Sequence, residues 1–303
     1  MSEEEIAYKN QIINGDCMEV LRGLPEELVH CCVTSPPYYG LRDYGVEGQI
    51  GREETTEQYI GKLVDVFLEL KRVLRPDGTL WLNISDCYCA TGKREEQSCK
   101  PKDLLGIPWR LALALRADGW YLRSDIIWMK ENPMPENVRD RPTRSYEHVF
   151  LLTKSKHYYY DYLAIAEPIQ ESSRKRYQYG RNTQTKYGVF PIPGQKNLQG
   201  INQPQKGGKD MEKIVPVRNK RDVWIINTVP YKGAHFAAFP PKLAETCILA
   251  GCPEQGIVID PFFGSGTTGA VAKSLNRFYI GIELNSEYCQ LAEKRVNGEE
   301  VRE

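Results

Sequence analysis

The chain has 303 residues, enough to bury a sizeable core and near the upper size of a single domain. Forty basic and forty acidic side chains cancel, so overall charge points to no polyanionic partner and any nucleic-acid surface must be local. There is no run of about 18 apolar residues, which excludes a membrane-spanning helix, and the acidic start Met1-Ser2-Glu3-Glu4-Glu5 reads as no secretory signal.

From residue 12 to residue 152, short β-rich runs alternate with helical ones, the pattern of α/β construction. Residues 29–33 form an apolar strand that enters the turn Ser35-Pro36-Pro37-Tyr38. Residues 59–74 carry Leu63, Val66, Phe67, Leu70 and Leu74 at helical spacing. A turn at Arg75-Pro76-Asp77-Gly78 should separate this helix from a strand at 79–84. A helix is expected over 109–115, and strands over 123–129 and 147–153. Tyr158, Tyr159 and Tyr160, with Tyr162, read as strand packing before a base-stacking platform. After residue 224 the pattern predicts a helix at 241–250, a strand at 256–260, a helix at 267–275, a strand at 278–283 and a helix at 286–296. No internal repeat is visible.

Nine cysteines make an odd count with no pairing rhythm, as expected of reduced thiols in a cytoplasmic protein. Cys87, Cys89 and Cys99 lack both a C-x-x-C spacing and a nearby histidine, so no metal site is expected.

Residues 171–221 differ from the rest. They have little periodicity, and twelve Lys/Arg against three acids (Glu171, Asp210, Glu212) give a local charge of 12 − 3 = +9. Composition alone allows a solvated or disordered insertion as readily as a phosphate-binding surface.

Two motifs carry chemistry. Gly256-Ile257-Val258-Ile259-Asp260, a turn with Gly264 and Gly266, and a following helix make the strand–glycine loop–helix unit of doubly wound sheets. It is neither the dinucleotide fingerprint nor a P-loop, which needs a lysine. Glu283 ends the next strand, where it can accept from both hydroxyls of a ribose. Two glycines alone would be an ordinary turn, and Glu283 alone a loop cap; the complete array points to a ligand site.

The other motif is Ser35-Pro36-Pro37-Tyr38. Consecutive prolines fix φ and donate no N–H, so their carbonyls should project rigidly without internal partners. Ser35 and a proline carbonyl can accept the hydrogens of an exocyclic amino group, leaving its lone pair for an electrophilic methyl, while Tyr38 stacks on the base. Standing alone, the segment would be a proline-rich strand end.

Together, and in this order, the motifs resemble the β group of DNA amino-methyltransferases over nearly the whole chain. The resemblance implies a Rossmann-like S-adenosylmethionine-dependent α/β fold with permuted motif order and a mostly parallel seven-stranded sheet. It implies a catalytic half at 1–170, a basic target-recognition region at 171–222 and a cofactor half at 223–303. Ser35, Pro36, Pro37 and Tyr38 take the catalytic role. Asp16, within Asn14-Gly15-Asp16-Cys17, takes the cofactor's adenine and Glu283 its ribose. Asp260, Phe262, Gly264 and Gly266 form the cofactor loop, Thr267 and Thr268 lie near the methionine carboxylate, and Phe236, within 235–240, packs over the methionine moiety.

The resemblance also turns the basic segment into a DNA-contact expectation carried by Arg174, Arg176, Arg181, Lys186 and Arg218. Arg42, in the glycine-flanked stretch after the catalytic turn, reads equally as a phosphate contact or a loop stabiliser, and Tyr44 as pocket wall or loop support. Asn132, Arg139, Arg141 and Arg144 offer a second DNA contact or a dimer edge. The expected partner is double-stranded DNA, with a homodimer as a family expectation and a restriction–modification setting in which any partner nuclease is unreadable from these residues. A Ser-type motif favours N4 of cytosine as target, with N6 of adenine as the alternative. Lower alternatives are RNA, a protein glutamine, or a DNA-binding regulator without catalysis.

Overall fold

Helix α2 (Thr56–Val73) starts where its sequence says it should. Thr55 accepts a hydrogen bond from the Gln58 backbone while the Gln58 side chain accepts from Thr55, a reciprocal cap that satisfies two otherwise orphaned donors. Leu63, Phe67 and Leu70 bury one face of it completely. It packs on the sheet beside α1 (Cys17–Gly23) and α3 (Ile107–Ala117). The Asp86 carboxylate caps α3, accepting from Gly106 and Ile107 at 3.0 Å each. The computed structural model describes residues 6–89, 99–170, 217–228 and 239–299, and no helix among them is long and apolar enough to cross a membrane.

The strands are β1 (Gln11–Asn14), β2 (Val29–Thr34), β3 (Leu74–Ile84), β4 (Tyr121–Met129), β5 (Tyr146–Thr153), β6 (Glu167–Pro168), β7 (Val217–Arg218), β8 (Val223–Ile225), β9 (Ile257–Asp260) and β10 (Phe278–Glu283). Helices α4 (Pro241–Gly251), α5 (Thr267–Ser274) and α6 (Ser286–Val296) are the remaining helices among the described residues. Eight strands form one sheet in the order β1-β10-β9-β2-β3-β5-β4-β8. Only β5 runs against its neighbours β3 and β4; every other pairing is parallel. Parallel strands buried on both faces should read as continuous apolar runs, and Val29, Cys31 and Cys32 are fully buried.

Three expectations change. Among the described residues the sheet has eight strands rather than seven, because the short β8 adds to the β4 edge. Residues 75–78 form no separate turn: β3 begins at Leu74, opposite Val29, and the ladder resumes with Cys31 opposite Thr79, so the extra residues bulge out of a continuous strand. Tyr158–Tyr160 follow β5 outside any strand, and Tyr160 instead stacks on Trp81 at 6.3 Å.

The thiols also differ from expectation at one place. Cys89 and Cys99 are disulfide-bonded, while the other seven cysteines remain thiols, six of them buried. Burial pushes the thiols of Cys17 and Cys31 up to about 12.

The chain divides into two compact units, one of residues 1–161 and 221–303, the other of residues 162–220. The described part of the second holds the antiparallel pair β6–β7, in which Arg218 meets Glu167 at 3.1 Å and Lys220 lies 3.9 Å from the same carboxylate.

Candidate active site

Parallel strands deliver their carboxyl ends to one edge of a sheet, where doubly wound folds bind ligands. Here that edge collects Asn14 and the following Gly15-Asp16 from β1, Thr34-Ser35 from β2, Ile84-Ser85 from β3, Asp260 from β9 and Glu283 from β10. Antiparallel β5 contributes its start, Tyr146-Glu147, and β4 its end, followed by Lys130. Between them lies a cavity of about 630 Å³, within the size range of ligand sites.

Asp260 organises the place where the two motifs meet. It is 2 % exposed. Its Oδ1 accepts from Thr34 Oγ1 at 2.6 Å and from the Phe262 backbone at 3.1 Å, and its Oδ2 accepts from Thr268 Oγ1 at 2.7 Å. Burial raises its carboxyl from 3.8 to about 6, against the lowering effect of those same hydrogen bonds. Thr268 also reaches the Val33 carbonyl at 3.3 Å. Strand β9 therefore docks on β2 with its terminal carboxylate fastened to the residue that precedes Ser35.

The turn after Asp260 depends on its glycines for reasons internal to the protein. Gly266 has φ +79° and caps α5, and a Cβ there would lie 2.9 Å from Ala292 Cβ on α6. The close approach expected of a ligand at this position is made instead by helix α6. Gly266 and Thr268 stand behind the cavity wall, whereas Phe262, Gly264 and Thr267 form part of it.

Glu283 both holds the loop and lines the cavity. Its Oε2 accepts from Gly264 N at 2.7 Å and its Oε1 from Asn285 N at 2.8 Å. Burial raises its carboxyl above the ordinary carboxylate range. Each oxygen retains a lone pair for a ligand hydroxyl. Asp16 caps α1, its Oδ1 accepting from Met18 N at 2.9 Å and Glu19 N at 3.1 Å, and also lines the cavity. Thr267 presents a buried Oγ1 with no partner among the described residues at the first turn of α5. An orphaned hydroxyl beside free helix N–H groups suits an anionic ligand group, so these residues fit the adenosine and methionine ends of S-adenosylmethionine.

At the other end of the cavity Ser35 follows β2. The Pro37 carbonyl is not free, as the sequence suggested, since Tyr59 Oη donates to it at 2.8 Å. Among the described residues no donor reaches the Pro36 carbonyl. Tyr38 lines the cavity with its hydroxyl tied behind it. That hydroxyl accepts from Ser35 Oγ at 3.3 Å and donates to Glu147 Oε2 at 2.6 Å, with Asn83 Oδ1 at 3.2 Å. Burial, then the Glu147 charge, raises the phenol well above its ordinary value. Lys130 donates to the other Glu147 oxygen. Glu147, Lys130 and Asn83 were not singled out by sequence, because each is a lone polar residue at a strand end; the only signal was a polar residue opening the apolar run 147–153.

Arg42 and Tyr44 both line the cavity. Gln49 ties their loop together, donating to the Arg42 carbonyl at 3.1 Å and accepting from Tyr44 N at 2.7 Å. Asn132 exchanges hydrogen bonds with Thr228 at 3.0 and 3.1 Å. Arg141 meets Glu136 at 2.7 Å and Arg144 reaches the Asp86 carbonyl. Phe236, Arg174, Arg176, Arg181 and Lys186 lie outside the described residues.

The fold is the Rossmann-like one of solved DNA methyltransferases, and the cavity fits S-adenosylmethionine, the cofactor of the DNA methylase family whose profile the chain matches. The profile of the N6/N4 DNA methylase family matches residues 29–294, and the chain belongs to that family. It is 46% identical over 304 residues to the Type II methyltransferase M.SmaI of Serratia marcescens, covering 94% of this chain and 90% of the relative. It is 45% identical to M.Cfr9I of Citrobacter freundii, covering 96% and 88%. Among solved structures, a Thermus thermophilus protein assigned as a DNA modification methylase and complexed with S-adenosyl-L-methionine superposes with TM-score 0.60 at 23% identity, covering 95% and 93%. The PvuII cytosine-N4-specific DNA methyltransferase superposes with TM-score 0.64 at 18% identity, covering 96% and 94%. The protein is thus a DNA amino-methyltransferase of the N4/N6 kind, similar to Type II modification enzymes.

Proposed function

We propose that the enzyme methylates N4 of cytosine in double-stranded DNA. The observation that carries this is Ser35: a neutral hydroxyl, not a carboxylate, stands at the catalytic end of the cavity, as in the Ser-type members that the motif resembles. The fold likeness to a cytosine-N4-specific enzyme is in keeping with it.

In this reading S-adenosylmethionine supplies the methyl group as an electrophile. Asp16 and Glu283 accept hydrogens from its adenine and ribose, Thr267 and the start of α5 take its carboxylate, and Phe262 packs on it. Asp260 acts indirectly, by holding the loop and Thr34. Ser35 Oγ and the Pro36 carbonyl accept the two amino hydrogens of the base, which aims the nitrogen lone pair along the transfer direction. Tyr38 stacks on the base, and Arg42 and Tyr44 close over it once it leaves the duplex, a step costing a few kcal/mol that stacking and hydrogen bonds offset. The basic region 171–222 tracks the phosphates through Arg174, Arg176, Arg181 and Lys186, while Arg218 spends its charge on Glu167.

Incubation with isotope-labelled cofactor and mixed-sequence DNA, followed by nucleoside mass spectrometry, tests the reading. N4-methylcytosine is the expected product; N6-methyladenine as sole product overturns it.

A further inference from the structure

We propose that Glu147 is a positioning residue that sets the polarity of Ser35, leaving its hydroxyl able only to accept, and so selects an amino group over a carbonyl at the reacting position. This rests on the reading that Ser35 faces the base.

The relay has one direction. An ionised carboxylate can only accept hydrogen bonds. Glu147 Oε2 receives the Tyr38 hydroxyl at 2.6 Å and Asn83 Nδ2 at 3.1 Å, and Oε1 receives Lys130. Tyr38 has a single proton, and the short contact commits it to Glu147. Towards Ser35 the phenol oxygen therefore offers only lone pairs, and Ser35 turns its own single proton inward at 3.3 Å. What Ser35 shows the cavity is lone pairs. An exocyclic N–H finds a partner there, whereas the carbonyl of a thymine or guanine meets another acceptor.

The scaffold fits this function. β5 sits between β3 and β4 and places Glu147 opposite Trp128, two positions from the Val149–Asn83 pair. The side chains of Lys130 and Glu147 are 17% and 12% exposed, so Lys130 supplies the counter-charge that a largely buried carboxylate requires. Lys130 is held in turn over the Trp128 ring at 4.3 Å. The ion pair makes the carboxylate a fixed acceptor, and a hydroxyl chain anchored on it cannot reverse without breaking its strongest link. If Glu147 were absent, the Tyr38 hydroxyl would keep only the longer contact to Asn83 Oδ1 at 3.2 Å; it and the Ser35 hydroxyl could then rotate, and Ser35 could donate to a carbonyl.

The test uses the full chain, S-adenosylmethionine and duplex DNA carrying the mapped target, with E147Q, Y38F, the double variant and S35A. E147Q should lower kcat by roughly 10- to 100-fold, the size of losing a hydrogen bond to a charged group, while KM for the cofactor stays within twofold. Y38F, which cuts the relay but keeps the Lys130 ion pair, should match it. The double variant should be no worse than either, as members of one chain are non-additive. Binding to duplexes whose target amino group is replaced by a carbonyl should tighten relative to the amino duplex in both variants, which a merely structural role would not produce. Should E147Q fail to fold, Y38F decides. Wild-type kcat and unchanged discrimination in Y38F, with S35A inactive, overturn the relay and leave the Ser35 reading standing. Full activity in S35A overturns the Ser35 reading itself.

Discussion

Thr34 donates a hydrogen bond of 2.6 Å to Asp260, joining two residues 226 positions apart in sequence. The bond fastens the strand end that presents Ser35 to the strand end that starts the cofactor loop. Asp260 thus serves both halves of the site at once, which its motif alone would not reveal.

Removing it should therefore damage both. Asp260→Ala is expected to weaken cofactor binding and lower kcat together, since Phe262 N and Thr34 lose their acceptor and Thr268 keeps only the Val33 carbonyl. Ser35→Ala should lower kcat with cofactor affinity nearly unchanged. Calorimetric titration of S-adenosylmethionine alongside steady-state rates separates the two, and equal loss of cofactor affinity in both would contradict this division of labour.

The raised Asp260 carboxyl makes a pH prediction. Its folded value is about 6 against an ordinary 3.8, so in this window the folded state holds a proton that the unfolded state has lost. This group's contribution to stability is then greatest below about pH 4 and declines as pH rises towards 6, by on the order of 3 kcal/mol. Asp260→Asn retains an acceptor for Thr34 and removes the buried charge. Urea denaturation at pH 4.5 and pH 7 should show a smaller decline in the variant; identical pH dependence in both proteins would refute the assignment.

Gly266→Ala combines an unfavourable φ with a clash. The left-handed backbone costs roughly 1–2 kcal/mol for a residue with Cβ, and the new methyl would meet Ala292 Cβ at 2.9 Å. A clear fall in melting temperature is expected. Ala292→Gly should not rescue it, since the Ala292 Cα would still lie 3.0 Å from the new methyl and a glycine inside α6 costs about 1 kcal/mol of its own; a Gly266→Ala protein that melts with the wild type would refute the close approach.

DNA affinity should fall steeply with salt. Each phosphate contact adds about 0.9 to the logarithmic slope, so alanine at Arg174, Arg176, Arg181 and Lys186 together should flatten fluorescence-anisotropy titrations by up to about 3.6 on that scale. Arg218→Ala should leave the slope almost untouched, because Glu167 already occupies that charge.

Thiol chemistry offers a separate check. Titration of the denatured, unreduced protein should count seven thiols and, after reduction, nine. In the native protein Cys87 should alkylate first, as the one thiol that is not buried. Nine thiols before reduction would exclude the Cys89–Cys99 bond.

Long periodic elements were legible from sequence. Helix α2, β5 and the run from α4 to α6 fall within two or three residues of expectation, because each buries a continuous apolar face. What escaped was short or decided by tertiary contact. β8 is three residues with only the middle one buried, and α1 is seven residues set by the Asp16 cap. Both chemical motifs were visible as strings, yet the string does not say which atoms face a ligand. Gly266 and Thr268 sit in the motif but serve α6 and Asp260. Conversely, Glu147 belongs to no motif, and only the alignment of β3, β5 and β4 brings it to Tyr38.

The adjacency of β2 and β9 also has a consequence in time. Translation releases β2 early, but its neighbour β9 begins 257 − 34 = 223 residues after β2 ends. At about 5–20 residues per second, that is a wait of roughly 10–45 s. Throughout it, the edge carrying Cys31 and Cys32 has no partner on that side, so the nascent chain must shield an open, apolar strand edge on the ribosome until its last fifth is made.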